Sequence, residues 1–293
     1  AMRGSSVYQQ TLNLTISEKQ KLRRLLEENY LPKNRVYRYN FFYDNCTTRA
    51  RDIIEKCIEG KVVYSEGKER LSFRDIVHQY TKGHEWDELG IDMCLGSEAD
   101  KPIDTRKQMF APFYMLEAAK KATIVVGDSV RPLILHEKKV VDVEPEDVRE
   151  GFPLSPMVCV FILIGVTCFV GWLQFKIRKI IWIWDLLLFG VQGLAGCVIT
   201  FLVFFSTHPT VGSNWLILLL NPIPLIYLPV MVYRAIKGKK DYYHTINIVC
   251  LTSFMMIMPF IQQKFNVTVL PLALCLLICS ANHVLLYYRQ NNK

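Results

Sequence analysis

Two hydrophobic rhythms divide the chain. As far as about residue 153, apolar positions recur in short amphipathic stretches. From Leu154 onward they merge into long apolar runs separated by brief polar breaks. In the first part, Met2 to Thr15 alternates and predicts an extended segment. Ser17 is placed to cap a helix running to about Asn29, with Leu22, Leu25 and Leu26 on one face and Pro32 ending it. The aromatic stretch Tyr37 to Tyr43 predicts a strand. It runs into the polar turn Asp44-Asn45, after which Ile53, Ile54, Cys57 and Ile58 recur at helical spacing. A helix therefore opens at Cys46, with Gly60 closing it.

Further on, Val62 to Leu71 reads as a hairpin around Glu66-Gly67. Ser72 with Asp75 resembles a capping box opening a helix through Tyr80. A second helix covers Trp86 to Leu95, and Asp100 to Thr105 is a polar loop. His78 and His84 read as solvated or half-buried side chains of this region. Pro112 opens a helix over Phe113 to Ala122. Thr123 to Val126, the turn Gly127-Asp128-Ser129 and Arg131 to Leu135 predict a β-hairpin. The charged, proline-containing stretch that follows reads as a linker. The expected division is 1–136 as an α+β domain, 137–153 as linker and 154–293 as a membrane domain.

Five apolar runs make up that membrane domain: Leu154–Phe175, Ile180–Phe205, Asn214–Tyr233, Thr245–Ile261 and Val267–Tyr288. Most approach the ~20 residues that cross a bilayer as a helix. Pro222, Pro224 and Pro229 should kink the third. The polar residues Asp185, Gln192, Asn247, Asn282 and His283 fall in or near these runs. Asp185 and His283 lie close enough to run ends to be interfacial, and helix–helix hydrogen bonding accounts for the rest as well as function does.

Charge sharpens this division. The chain of 293 residues is 51% apolar with a formal net charge of +8, and that excess lies entirely in its second half. A basic balance can mean nucleic acid, but here the cations sit in short loops, so a membrane explains them and no nucleic-acid partner is expected. Lys176, Arg178, Lys179, Arg234, Lys237, Lys239, Lys240, Arg289 and Lys293 share one side, against Lys264 on the other. That asymmetry puts the C-terminus in the cytoplasm and the N-terminal half outside, with the Ser206-Thr207-His208-Pro209 turn.

Nine cysteines are present, six of them inside the apolar runs, and no Cys/His spacing reads as a zinc site. No metal or cofactor is expected. Cys46 stands apart, because it falls in the first turn of a helix that Asp44 or Asn45 can cap. Free N–H groups and the helix dipole there favour an anion, the arrangement a thiol nucleophile uses. The alternative is a small, buried apolar cysteine. Tyr43, Asp44 and Asn45 are oxyanion or orienting candidates, although Asn45 could serve only as a cap. Arg49 and Arg51 could hold a lipid phosphate, or equally pair with Asp52 and Glu55 on the same helix. His208 is a candidate for a lipid-facing interface.

The run Y-N-F-F-Y-D-N-C-T-T-R-A-R-D-I-I around Cys46 resembles bacterial membrane proteins of the Lnb type. So do Q-Q-T-L-N-L-T at Gln9 to Thr15, D-K-P-I-D-T-R-K-Q-M-F at Asp100 to Phe110, and the T-H-P turn at Thr207 to Pro209. The asparagine–cysteine pair opening a helix is also similar to permuted, papain-like NlpC/P60 thiol enzymes. The resemblance implies an α+β periplasmic domain ahead of five transmembrane helices in a bacterial inner membrane. It further implies a lipoprotein N-acyltransferase with Cys46 as nucleophile. A membrane phospholipid would be the acyl donor, a lipoprotein N-terminus the acceptor, and the route a ping-pong thioester. The general-base histidine is then expected on a strand upstream of Ala1. Two rivals stand beside it: a thiol hydrolase (phospholipase or cell-wall peptidase), and a membrane-anchored binding module in which Cys46 is only core.

Overall fold

The computed structural model describes residues 6–65, 67, 70–143 and 152–291. The chain forms two compact units: Ala1–Val77 with Pro102–Arg149, and His78–Lys101 with Glu150–Lys293.

The elements of the N-terminal part are β1 (Val7–Leu12), α1 (Ile16–Tyr30), α2 (Cys46–Cys57), β2 (Lys61–Val63), α3 (Phe73–Thr81), α4 (Glu85–Cys94), α5 (Thr105–Gln108), α6 (Pro112–Lys121), β3 (Thr123–Val126), β4 (Ser129–Pro132) and β5 (Ile134–Val141). In the first unit, β1 pairs antiparallel with β5, and β2, β3 and β4 form a second antiparallel sheet in that order. A small core of Cys57, Ile58, Ala119, Ala122, Ile124 and Leu133 lies among α2, α6 and the second sheet.

Four expectations change here. Thr15, not Ser17, caps α1, because Glu18 three residues on completes a reciprocal capping box with it. Tyr37 to Tyr43 is not a strand. Asn40 and Asp44 bridge to each other, and the Asn40 side chain accepts from the Phe42 and Tyr43 N–H groups, which bends the segment into a tight turn. Of its rings Phe42 turns inward, packing on Phe73 at 4.6 Å and on Phe110 at 5.1 Å between centroids. The hairpin expected at Val62 to Leu71 does not form, since β2 pairs with β3; Glu66 lies outside the described residues. The expected linker begins as strand, because β5 runs through Val141 against β1; 144–151 lie outside the described residues.

The second unit holds α7 (Pro156–Ile177), α8 (Trp182–Phe205), α9 (Pro209–Gly212), α10 (Ile223–Ile236), α11 (Tyr242–Ile257) and α12 (Val269–Asn291). Among the described residues five spans are long and apolar enough to cross a membrane, the third being Pro209–Ile236. This third span is broken, not merely kinked: α9, a short 3-10 turn at Trp215–Leu218 and α10 share its length. Broken backbone at membrane depth must find partners inside the protein. The Gln192 amide provides one, donating to the Leu219 carbonyl at 2.8 Å. α8 can approach this segment because Gly196 has no side chain: a Cβ there would lie 2.2 Å from the Asn221 carbonyl carbon.

α4 belongs with these spans. Asn214 Nδ2 donates to the Met93 carbonyl at 2.7 Å and Gln263 Nε2 to the Leu95 carbonyl at 3.2 Å. The Gly96 N–H donates to the Thr210 carbonyl at 2.7 Å, and a Cβ on Gly96 would sit 2.6 Å from the Ser213 backbone. Asp185 and His283 pair with each other inside the unit. Both are buried and face each other, with His283 Nε2 2.8 Å from Asp185 Oδ2 and the His283 ring stacked 3.8 Å from that of His244. A carboxylate inside a span needs such a partner.

Candidate active site

The site is built at the start of α2. Asn45 caps the helix: its Oδ1 accepts from Thr48 N–H at 2.8 Å, while Thr48 Oγ1 accepts from Asn45 N–H at 2.9 Å. The Asn45 amide also donates to the carbonyls of Phe41 and Phe110, both at 2.9 Å. Asn45 is buried, and its side chain is spent on holding the loop and the helix start in place. Cys46 is the first residue of that helix and its side chain is exposed, with Thr47 Oγ1 at 3.9 Å. First-turn N–H groups such as those of Cys46 and Thr47 have no partner within a helix. They are donors for an anion forming beside the thiol.

Asp44 and Arg49, on either side of Cys46 in the chain, form a two-pronged ion pair at 2.7 and 2.9 Å. The Asp44 hydrogen bond raises the Arg49 pKa, and the guanidinium lies 3.4 Å over the Tyr37 ring. Arg51 is buried against its neighbours instead. It donates to Asp52 at 2.6 Å and to the Arg106 carbonyl at 2.7 Å, and reaches Glu55 at 3.8 Å. Arg106 closes the same network on Asp52 and Glu55, so intramolecular pairing is the arrangement adopted by Arg51. Tyr43 packs its ring edge-on to Phe73 at 5.2 Å. His208, in the other unit, has its Nδ1 3.4 Å from Ser206 Oγ.

Two features escaped the sequence reading. Tyr39 is electrostatically close to the thiol: burial pushes its phenol up, and a charge on Cys46 adds to that. The second is an open cavity of about 450 Å³ lined by Tyr37, Arg49, Ile53 and Lys56 from this side and by Glu28 and Asn34 from the end of α1. Positions 46, 49, 53 and 56 recur at helical spacing, so the thiol and the cavity share one face of α2. The signal was present in that spacing, but not the α1 wall facing it.

Among the described residues, two groups in the second unit have ligand atoms close enough for a metal ion: Asp185, Cys279 and His283, and His78, Glu88 and Asp92. In each the histidine already contacts the aspartate, at 2.8 Å. Neither group contains a residue of the thiol site.

The Lnb N-terminal periplasmic domain family matches residues 1–82, which carry Cys46 and the whole of its helix. The Lnb transmembrane domain family matches residues 147–291, which carry all five spans. Neither a curated protein nor a solved structure matches the chain. With both of its characteristic parts matched in this order, the chain belongs to the Lnb-type family, multi-pass inner-membrane proteins with a periplasmic N-terminal domain.

Proposed function

We propose that the protein moves a fatty-acyl chain from a phospholipid to the α-amine of a lipoprotein's N-terminal diacylglyceryl-cysteine, through a thioester on Cys46. Membership of the Lnb family points to a lipoprotein-processing membrane enzyme; the acyl-transfer chemistry is the finer reading. The observation that carries it is the exposed Cys46 side chain on the first turn of a helix whose start Asn45 and Thr48 cap reciprocally, on the helix face whose Arg49, Ile53 and Lys56 line a cavity.

In the first step the Cys46 thiolate attacks an ester carbonyl of the phospholipid. The carbonyl oxygen takes up negative charge facing the first-turn N–H groups, the C–O ester bond breaks, and the lysophospholipid leaves with a proton. In the second step the lipoprotein amine attacks the thioester carbonyl, loses a proton, and the C–S bond breaks to regenerate the thiol. The base that carries these protons is proposed to be a histidine upstream of Ala1. The likeness to permuted, papain-like NlpC/P60 enzymes is proposed on the same asparagine–cysteine helix start.

Incubation with phospholipid alone should add the mass of one acyl chain at Cys46 and release lysophospholipid. A diacylated lipopeptide with a free amine should then clear the adduct, and one with a blocked amine should not. Decay of the adduct at the same rate in water alone would identify a lipase instead.

The same reading places the C-terminus in the cytoplasm, on the nine-to-one loop asymmetry of Lys and Arg. An impermeant maleimide applied to intact spheroplasts should label Cys46, whereas an impermeant amine reagent should spare Lys237, Lys239 and Lys240. Labelling of those lysines from outside would reverse the topology.

A further inference from the structure

Within the second unit, α7, α8, α12 and the segment at Leu220 surround a cavity of about 380 Å³. Leu163, Val191, Ala195 and Leu276 form its walls, Met93 of α4 closes one end and Trp184 marks the other. Gln192 also borders it, but its amide N–H is engaged by the Leu219 carbonyl. Among the described residues, no charged side chain lines the space.

Three observations identify what fits it. Leu187 and Val191, both in the lining, are 55% and 65% exposed on a membrane-spanning helix, so the cavity communicates sideways with lipid rather than with water. From Trp184 to Ala195 the cavity follows α8 for ~16 Å at ~1.5 Å per residue. One leaflet contributes about half of a ~30 Å hydrocarbon core, so that length matches a single tail. The end near α4 lies beneath a polar cluster in which Asn214 and Gln263 bond to each other and to the Met93 and Leu95 carbonyls. Asn214 and Gln263 are buried and their amides are engaged in these bonds, so the cluster closes the polar end of the cavity and a tail enters from the side. Met93 caps the cavity with a flexible thioether that adapts to different tails.

We infer that this cavity is an acyl-chain site, taking one tail of a phospholipid from the leaflet on the α4 side. The inference rests on the acyl-transfer reading only in making that phospholipid the donor; the binding itself needs no turnover.

The test uses the full chain in nanodiscs containing phosphatidylethanolamine with a diazirine in one tail. Photolabelling should concentrate on the cavity-lining Leu188, Ala195 and Leu276 over Phe161 and Phe201, which are 58% and 60% exposed on α7 and α8. Ala195→Trp, which fills the cavity, should cut the cavity labelling on the order of tenfold. Ala195→Leu should cut it less and serves if the larger side chain prevents folding. Labelling of cavity and outward residues alike, or cavity labelling unchanged in folded filled variants, would overturn the site. Loss of labelling on filling, with Cys46 never acylated in the parent protein, would uphold the cavity and remove acyl transfer. Normal Cys46 acylation with indifferent labelling would do the reverse.

Discussion

Cys46→Ser is expected to abolish acyl transfer while leaving the fold intact. Losing a covalent nucleophile costs catalysis about 10⁴- to 10⁶-fold, because the remaining site can only bind and polarise. A serine hydroxyl keeps the shape but is almost never ionised, and the Thr47 hydroxyl 3.9 Å from the thiol is no base to activate it. Stability should change by less than about 0.5 kcal/mol, since the side chain is exposed and Asn45, not Cys46, caps α2. Cys57→Ser supplies the contrast from the other end of the helix. That thiol is fully buried, and its Sγ donates to the Ile54 carbonyl at 3.1 Å. Placing a hydroxyl there should cost about 1–3 kcal/mol of stability and leave the turnover of the folded fraction unchanged. Acylation rates and thermal melts on both variants separate the two effects. Full activity in Cys46→Ser would end the thioester mechanism.

Glu18→Ala should destabilise the first unit by about 3–5 kcal/mol, a large part of the ~5–15 kcal/mol that holds a typical domain. The Glu18 carboxylate is fully buried and accepts from Thr15 N–H at 2.8 Å, Glu59 N–H at 2.9 Å and Arg131 at 2.6 Å. Its loss would leave two backbone donors and a guanidinium without their acceptor. Burial alone would raise the pKa of this acid, but the Thr15, Glu59 and Arg131 hydrogen bonds outweigh it and hold the carboxyl below its usual 4.5. A lowered folded value means that the stabilisation is fully present above about 4.5. It is lost as pH falls through the lower folded value. Glu18→Gln should therefore flatten the acid limb of the stability curve. Hydrogen exchange of the α1 amides in the full chain, followed from neutral pH to about pH 3, reads both effects. Unchanged protection in Glu18→Ala would sink this account of the core.

What the sequence disclosed follows from how local each determinant is. The α2 start was legible because cap and helix are adjacent: Asn45 and Thr48 satisfy each other within one turn. The spans were legible because hydropathy needs no partner to be read. The Tyr37 to Tyr43 strand failed because aromatic residues favour sheets and ring clusters alike, and only Phe73 and Phe110 decide between them. The alliance of α4 with the spans was hidden for a similar reason. It is made by Asn214 and Gln263 reaching backbone carbonyls far away in the chain, which any residue could supply. At the site, Cys46 is exposed, which sets aside the small, buried cysteine that the sequence left open.

The pairing of β1 with β5 sets a timetable for synthesis. Gln10 meets Glu137 at a sequence separation of 127, and their side chains also bond at 2.8 Å. At ~5–20 residues per second, β1 waits roughly 6–25 s for its partner to be made. During that interval its backbone is an open strand edge, the kind that recruits other chains. The first apolar helix, α7, begins at Pro156, only a short distance beyond Val141. Completion of the sheet and engagement of the first span by the insertion machinery thus fall close together in time. A pause introduced between codons 12 and 134 should therefore lengthen the vulnerable period and lower the yield, whereas the same pause after codon 141 should not.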